Sequence, residues 1–568
     1  MMEVINIPPK KKLNIGKKAI DHPFCFAIAA NLLLLILLLL IFRPIFETND
    51  DIGLMNLVNG AKKVYDPHMV YSNYVWGLIL SVCYRICQWM PWYTLGEYAL
   101  LFLAFTAIAY VIVCRAGNLS SLWIGILTIS VFGYEGYVKF QYTKTAGIVS
   151  AAGFFLLFYA LEEEKIRWKE LVCGYGLAAF GFMIRSDQFL AEAAVISGIC
   201  VMLLLQLFFS ESVVRKRLFC HDIVAAAVLF LFIGGLYVID QRAYASQEWQ
   251  EYKEYNEART ELFDYGFPGY SSNKEVYESL GIDQTAYRMI KGWNHMDSEL
   301  FTVETMKQLI ALKKPKQINQ DFFQRFFERF PFRFTTIPSF WSFLILFFCT
   351  LCWGKHTKKE VPALIYEIFV IMAVYFLLFY RGRYLYNRVD VGLWLAASLV
   401  VLWTMTGENE WFSSRSGILL VAAVLCVSQN TGRRNWKANT EDKYSEMQEE
   451  KALLDEIHSD QEHLYLFKVG TISLTKAYGV FDSIPYGIGE NMYPLGGWSA
   501  KTPVYSATLD QYQVKNPFHD LINSEKVYII DNKIDDTVEY IQKHYDENAQ
   551  AIMVSEIGSY KVYSIQSK

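Results

Sequence analysis

PFCFAIAANLLLLILLLLIFR, residues 23–43, carries no charge before Arg43 and has about the 20 residues a helix needs to cross a bilayer. Lys10, Lys11, Lys12, Lys17 and Lys18 precede it, and no small-residue cleavage site follows it. It reads as an uncleaved spanning helix, with residues 1–22 as a cytoplasmic tail. A membrane then organises everything downstream.

Working outward, further apolar runs stand at 95–114, 119–134, 144–161, 171–186, 189–209, 221–239, 339–353, 361–380, 388–405 and 416–428. With the first run they predict an α-helical polytopic membrane protein of about 11 transmembrane helices. Segment 74–90 (YVWGLILSVCYRICQWM) decides the parity, because it is apolar but short and is interrupted by Arg85. Leaving it on the outer surface puts Arg115, Lys165, Arg167, Lys169, Arg215, Lys216, Arg217, Lys355, Lys358 and Lys359 in the cytoplasm. That parity places residues 44–94, 240–338 and 430–568 outside; Arg433 and Arg434 run against it. Residues 23–430 form the transmembrane module and 431–568 an extracytoplasmic domain.

Composition agrees with this reading. With 53% hydrophobic residues against 19% charged, the chain is too apolar for a soluble fold, and a net charge of -4 leaves no basic excess for nucleic acid. All ten cysteines lie in or beside apolar segments, which argues against a disulfide framework or a zinc site. Cys349 and Cys352, in FLILFFCTLCW, read as helical thiols despite their CxxC spacing. The loop 240–338 is too long for a bare connection and must fold, with a helix near 303–314 and an amphipathic approach at FFQRFFERFPFRF. After the charged run EDKYSEMQEEKALLDEIHS, short β-like runs LYLFKVG, KVYIIDN and AIMVSEIGSYKVYSI alternate with helical patterns, so a small α/β domain is expected.

Candidate chemistry gathers at the outer ends of the spans. Glu47-Thr48-Asn49-Asp50-Asp51 follows the first span, and Ile52, Met55 and Val58 recur at helical spacing until Gly60. Two carboxylates thus stand at a helix N-terminus, whose dipole favours their ionised form and suits a general base. Thr48, Asn49 or Asp50 as a simple cap is the alternative. Glu135, Lys139 and Lys144 lie in GYEGYVKFQYTKTA, Arg185 and Asp187 in MIRSDQF, and Arg381, Arg383 and Arg388 in YRGRYLYNRVD. Charges at membrane depth mark a site or a wet cavity, and arginine's planar fork matches phosphate oxygens. Single residues such as Lys139 or Arg388 also read as snorkelling anchors. His68 reads chiefly as a loop hydrogen-bonding residue, Arg259 as a substrate contact or a partner within a surface helix, and Trp498, after Gly496-Gly497, as a sugar-stacking ring or a packed one.

The TNDD pair in the first external loop, the surface helices at 52–63 and 74–90, and the long loop after the seventh span resemble the GT-C superfamily of membrane glycosyltransferases over residues 23 to about 400. The resemblance implies transfer of a sugar from a polyprenyl-phosphate carrier to a glycan or lipid-linked acceptor on the outer face of the cell membrane, and so contact with membrane lipid. It further implies Asp51 or Asp50 as catalytic base and Arg381, Arg383, Arg185, Arg388, Lys139 and Lys144 as phosphate ligands. Glu135, His68, Arg259 and Trp498 remain possible substrate contacts. No ligand spacing demands a metal, and neither a metal nor another cofactor is expected. A polysaccharide polymerase, a lipid-linked glycan flippase and a non-catalytic assembly protein are the competing readings; for a flippase, the charges lie at span ends rather than at the midplane.

Overall fold

The computed structural model describes every residue except 1–19, 117–118, 209–212, 314–316, 335–337, 354–359, 383–386, 406–441 and 473–476. The chain is a polytopic α-helical membrane protein with a β-containing C-terminal domain. Among the described residues, seven helices are long and apolar enough to cross a membrane. They are α1 (Pro23–Ile41), α4 (Trp92–Ala116), α6 (Tyr142–Leu161), α8 (Ser186–Phe208), α9 (Val213–Ala243), α16 (Glu360–Arg381) and α17 (Asn387–Met405).

This corrects the expected eleven. The runs at 119–134, 171–186 and 339–353 do form helices: α5 (Leu119–Gly133), α7 (Trp168–Ile184) and α15 (Pro338–Trp353). They have only 15, 17 and 16 residues. At 1.5 Å per residue they reach roughly 23–26 Å, short of the ~30 Å hydrocarbon core. A π-helical turn over Tyr134–Val138 continues α5, while Lys169 and Glu170 dilute the start of α7. The run at 416–428, together with Arg433, Arg434, Lys355, Lys358 and Lys359, lies outside the described residues.

Segment 74–90 holds a helix too short to span a bilayer by length. Its helix α3 (Tyr74–Ile86) has 13 residues, with Trp76, Leu80 and Tyr84 buried against the bundle and Leu78, Ile79, Val82 and Ile86 exposed. The chain enters and leaves this region on one face: Asp51, in helix α2 (Asp50–Val58), accepts a hydrogen bond from Tyr93 at the start of α4 (3.0 Å). Gly60, at φ +79°, turns the chain away from α2 in a conformation that glycine adopts without strain.

Helix α6 runs through the middle of the bundle and is buried along nearly its whole length. Small residues let its neighbours close in: a Cβ on Gly153 would stand 2.6 Å from the backbone nitrogen of Ala178 in α7. At the same end as Asp51, strands β1 (Ile45–Phe46) and β2 (Lys139–Phe140) pair in parallel, Ile45 opposite Lys139. That pairing brings the segment after α1 beside the segment before α6.

The large loop folds into α10 (Gln247–Asp264), α11 (Lys274–Ser279), α12 (Gln284–Lys291), α13 (Val303–Ala311) and α14 (Gln320–Phe334). The C-terminal part comprises α18 (Asp442–Ser459), β3 (Leu464–Phe467), β4 (Met492–Pro494), α19 (Pro503–Gln511), β5 (Val527–Ile530), α20 (Ile534–His544), β6 (Ala549–Ile557) and β7 (Tyr560–Ser567). Its sheet has the order β4-β3-β5-β7-β6, with the first three strands parallel and β7 antiparallel to both neighbours. Loop and domain share one core, in which Leu262 and Met289 pack with Leu464 and Tyr493. The domain also seats on the bundle: the Thr94 hydroxyl donates to the Val480 carbonyl (2.7 Å), and Lys62 to that of Met492 (2.5 Å). Burial of Lys62 lowers its ammonium pKa to about 7.

Candidate functional site

Five stretches distant in sequence converge beside the β1–β2 pair. Asp50 and Asp51 begin α2, but Asn49, at the cap position, makes no side-chain capping bond, and the Thr48 hydroxyl has no partner among the described residues. The carboxylates point elsewhere. Asp50 Oδ2 accepts from an Arg388 guanidinium nitrogen at 2.8 Å, and both side chains keep part of their surface open, 21% and 23%. Asp51 is fully buried. Its Oδ1 accepts from the Tyr93 hydroxyl (3.0 Å) and the Tyr142 backbone N–H (2.9 Å), and Oδ2 has no hydrogen-bond partner among the described residues.

Burial therefore divides the pair. Removal from water pushes Asp51 up to about 8, against the pull of its two donors, so the helix dipole does not keep it ionised as the sequence suggests. Asp51 is neutral over much of the physiological range and closed to a bulky acceptor. Asp50 is the accessible carboxylate, held by an arginine at the head of α17.

Next to them lies a chain of paired charges. Lys144, wholly buried in the first turn of α6, bridges Glu47 (2.7 Å) and Glu135 (2.6 Å). Glu135 also takes Lys139 at 3.0 Å and the Asn387 amide at 3.1 Å. Every member of this network has an opposite charge or a donor, which is the condition under which buried charges persist. The network ties the ends of α1, α6 and α17 together beneath Asp50 and Arg388.

A third wall is aromatic. Arg185, where α7 gives way to α8, donates to the Tyr142 hydroxyl, and its guanidinium lies 5.6 Å from the Tyr71 ring and 5.2 Å from that of Tyr142. Buried Arg259 of α10 donates to the Tyr71 hydroxyl (3.2 Å). Trp498 meets Tyr71 edge to face at 5.1 Å, and its carbonyl accepts from Tyr252 (2.9 Å). Its indole also rests on α2, where a Cβ at Gly53 would stand 2.7 Å from the ring. Trp498 is thus a packed ring that joins the C-terminal domain to the acidic helix, rather than a free stacking platform.

Asp50, Asp51, Glu135, Lys139, Lys144, Arg185, Arg259, Arg388 and Trp498 therefore form one connected neighbourhood, and two other candidates lie apart from it. His68 bonds Asp66 (2.5 Å) and the Ala243 carbonyl (3.0 Å) and stacks on Trp249, so its ring is engaged within the loop. Arg381 is exposed and lines a separate cleft of about 870 Å³ with Tyr265, Phe267 and Lys313. Arg383 lies outside the described residues, although Gly382 beside it does adopt a turn conformation at φ +83°. Among the described residues, no group of three or more His, Cys, Asp or Glu side chains is arranged to hold a metal.

Glu97 escaped sequence reading. It is fully buried in α4 beside Thr145 and Tyr93, close enough to Asp51 for the two carboxyl groups to interact. Its signal was present: a lone carboxylate in the apolar run YTLGEYALLFLAF. Tyr71, Tyr93 and Tyr142 gave no comparable signal among 37 tyrosines.

No family model matches the chain, and no curated protein does. Two solved structures are similar to it: ArnT from Cupriavidus metallidurans in the apo state, at 10% identity and a TM-score of 0.40, and the same protein bound to undecaprenyl phosphate, at 11% and 0.39. The overlaps cover 94% and 95% of this chain and 97% of each of those. At so coarse a likeness, the chemistry rests on this chain's own residues.

Proposed function

We propose that the protein is a membrane glycosyltransferase that moves a sugar from a polyprenyl-phosphate carrier to an acceptor hydroxyl at the outer face of the cell membrane. The observation that carries this reading is the Asp50–Arg388 pair: an accessible carboxylate and a phosphate-matching guanidinium 2.8 Å apart at the end of a helical bundle. Arg185 stands on the same aromatic wall.

In this mechanism Asp50, rather than the sealed Asp51, accepts the proton of the acceptor hydroxyl. The hydroxyl oxygen attacks the anomeric carbon as the bond from that carbon to the phosphate oxygen breaks. The bonding electrons leave with the phosphate. Arg388 and Arg185 stabilise the charge that develops on it, and no strong general acid is needed because the phosphate departs as an anion. Asp51, neutral and buried, holds Tyr93 and the start of α6 in register. The Lys144 network keeps the span ends at fixed separation.

The test is turnover in proteoliposomes given a polyprenyl-phosphate sugar, read as release of polyprenyl phosphate. Wild-type turnover that disappears in Asp50→Asn, with insertion and melting behaviour kept, supports the assignment. Substrate movement between leaflets without cleavage would favour the transporter reading instead.

A further inference from the structure

At the opposite end of the bundle from Asp50, an apolar groove of about 660 Å³ opens between α1, α4 and α7. Phe24, Leu103, Ala107 and Leu177 are among its walls. Its floor is open at Gly176, where an added Cβ would meet no atom within 4 Å. The walls belong to three helices apolar enough to span, α1, α4 and, through Leu156, α6, and to the shorter α7, so the groove runs at membrane depth. Its mouth is polar and carries both signs of charge. Lys169 is exposed, with no carboxylate partner among the described residues. Its neighbour Glu170 accepts from the Tyr110 hydroxyl through Oε1 (2.8 Å), while Oε2 has no hydrogen-bond partner among the described residues.

We propose that this groove is a binding site for one phospholipid with a phosphate and a primary-ammonium headgroup, of the phosphatidylethanolamine type. An acyl chain fills the apolar channel past Gly176, the lipid phosphate pairs with Lys169, and the headgroup ammonium donates to the free oxygen of Glu170. A purely anionic lipid matches the lysine but brings its charge against the carboxylate. A choline headgroup presents methyl groups where the carboxylate needs an N–H donor. The volume falls within the ~300–1,000 Å³ of small-molecule sites. By the distribution of Lys and Arg, this mouth lies in the cytoplasmic leaflet, so the site is separate from the carboxylate cluster in both place and chemistry.

Native mass spectrometry of the full chain, released from nanodiscs containing equal parts phosphatidylethanolamine, phosphatidylcholine and phosphatidylglycerol, tests the proposal. One phosphatidylethanolamine should survive activation at about tenfold or greater excess over the other two lipids. Gly176→Trp, whose Cβ would stand in open space, should abolish that retention. Glu170→Gln should erase the headgroup preference, its amide oxygen still accepting from Tyr110, whereas Lys169→Met, which removes the phosphate partner, should lower retention of all three lipids. Equal retention of the three lipids, a preference for phosphatidylglycerol, or retention unchanged by Gly176→Trp would overturn it. If the tryptophan variant fails to accumulate, the two charge variants decide: an undiminished preference in Glu170→Gln together with undiminished retention in Lys169→Met refutes the site.

Discussion

Asp50 and Asp51 are adjacent in the chain, yet one is reachable and the other is sealed behind Tyr93 and Tyr142. If Asp50 is the base, Asp50→Asn should lower sugar transfer by about 10²- to 10⁴-fold. Asp51→Asn should leave measurable turnover, because Asn still accepts from both donors. The two variants separate again in stability. Asp51 titrates near 8 in the fold but near 3.8 when unfolded, so the folded state binds the extra proton between those values. Its contribution is therefore complete below about pH 4 and is lost as pH rises through about 8. Melting of the wild type in detergent should fall over that window, and Asp51→Asn should flatten the fall; an unchanged slope would mean that Asp51 is ionised in the fold. The arginines carry a further expectation. Lysine at 388 keeps the charge beside Asp50 but loses the fork, and lysine at 185 loses its two tyrosine faces. Each should cut turnover about tenfold or more, whereas full activity in both variants would remove the phosphate site from this wall.

The polar network closes only because helices meet at small residues. Gly153 of α6 faces the α7 backbone so closely that a side chain must push the pair apart. Overpacking of this kind typically costs about 1–3 kcal/mol. Gly153→Val should accordingly lower thermal stability in detergent and impair turnover, because α6 also carries Tyr142 and Lys144 in its first turn. Gly234 in α9, whose Cβ would meet nothing within 4 Å, serves as the control and should accept alanine with little change. The short helix α3 makes a related point. Its 13 residues are apolar on both faces, one against the bundle and the other outward, so hydropathy alone mimics a span, whereas length and the shared face of α2 and α4 exclude one.

For the molecule as a whole, the first loop, the large loop and the C-terminal domain stand on one side of the helical bundle, locked by Lys62, Thr94 and Trp498. In a cysteine-free background, cysteines introduced at Lys274 and Lys526 should react with an impermeant reagent in intact cells, and one at Lys165 should not. Labelling at 165 alone would invert the orientation and place the carboxylate cluster at the cytoplasmic face.

Much of this was readable from the linear chain. The first span, the α/β character of the C-terminal segment and the clustering of charge at span ends follow from local hydropathy, length and periodicity, which act over a few turns of chain. The number of full-length spans did not follow, because α5, α7 and α15 are apolar but hold only 15, 17 and 16 residues. Nor could the chain reveal which carboxylate is reachable from solvent. Asp50 and Asp51 have the same neighbours in sequence, and their difference comes from Tyr93, Tyr142 and Arg388, brought in by three other helices. The separation of Arg381 from the cluster and the burial of Glu97 beside Asp51 were settled the same way. Desolvation and Coulomb interactions depend on distance in space, and only the packed structure sets those distances.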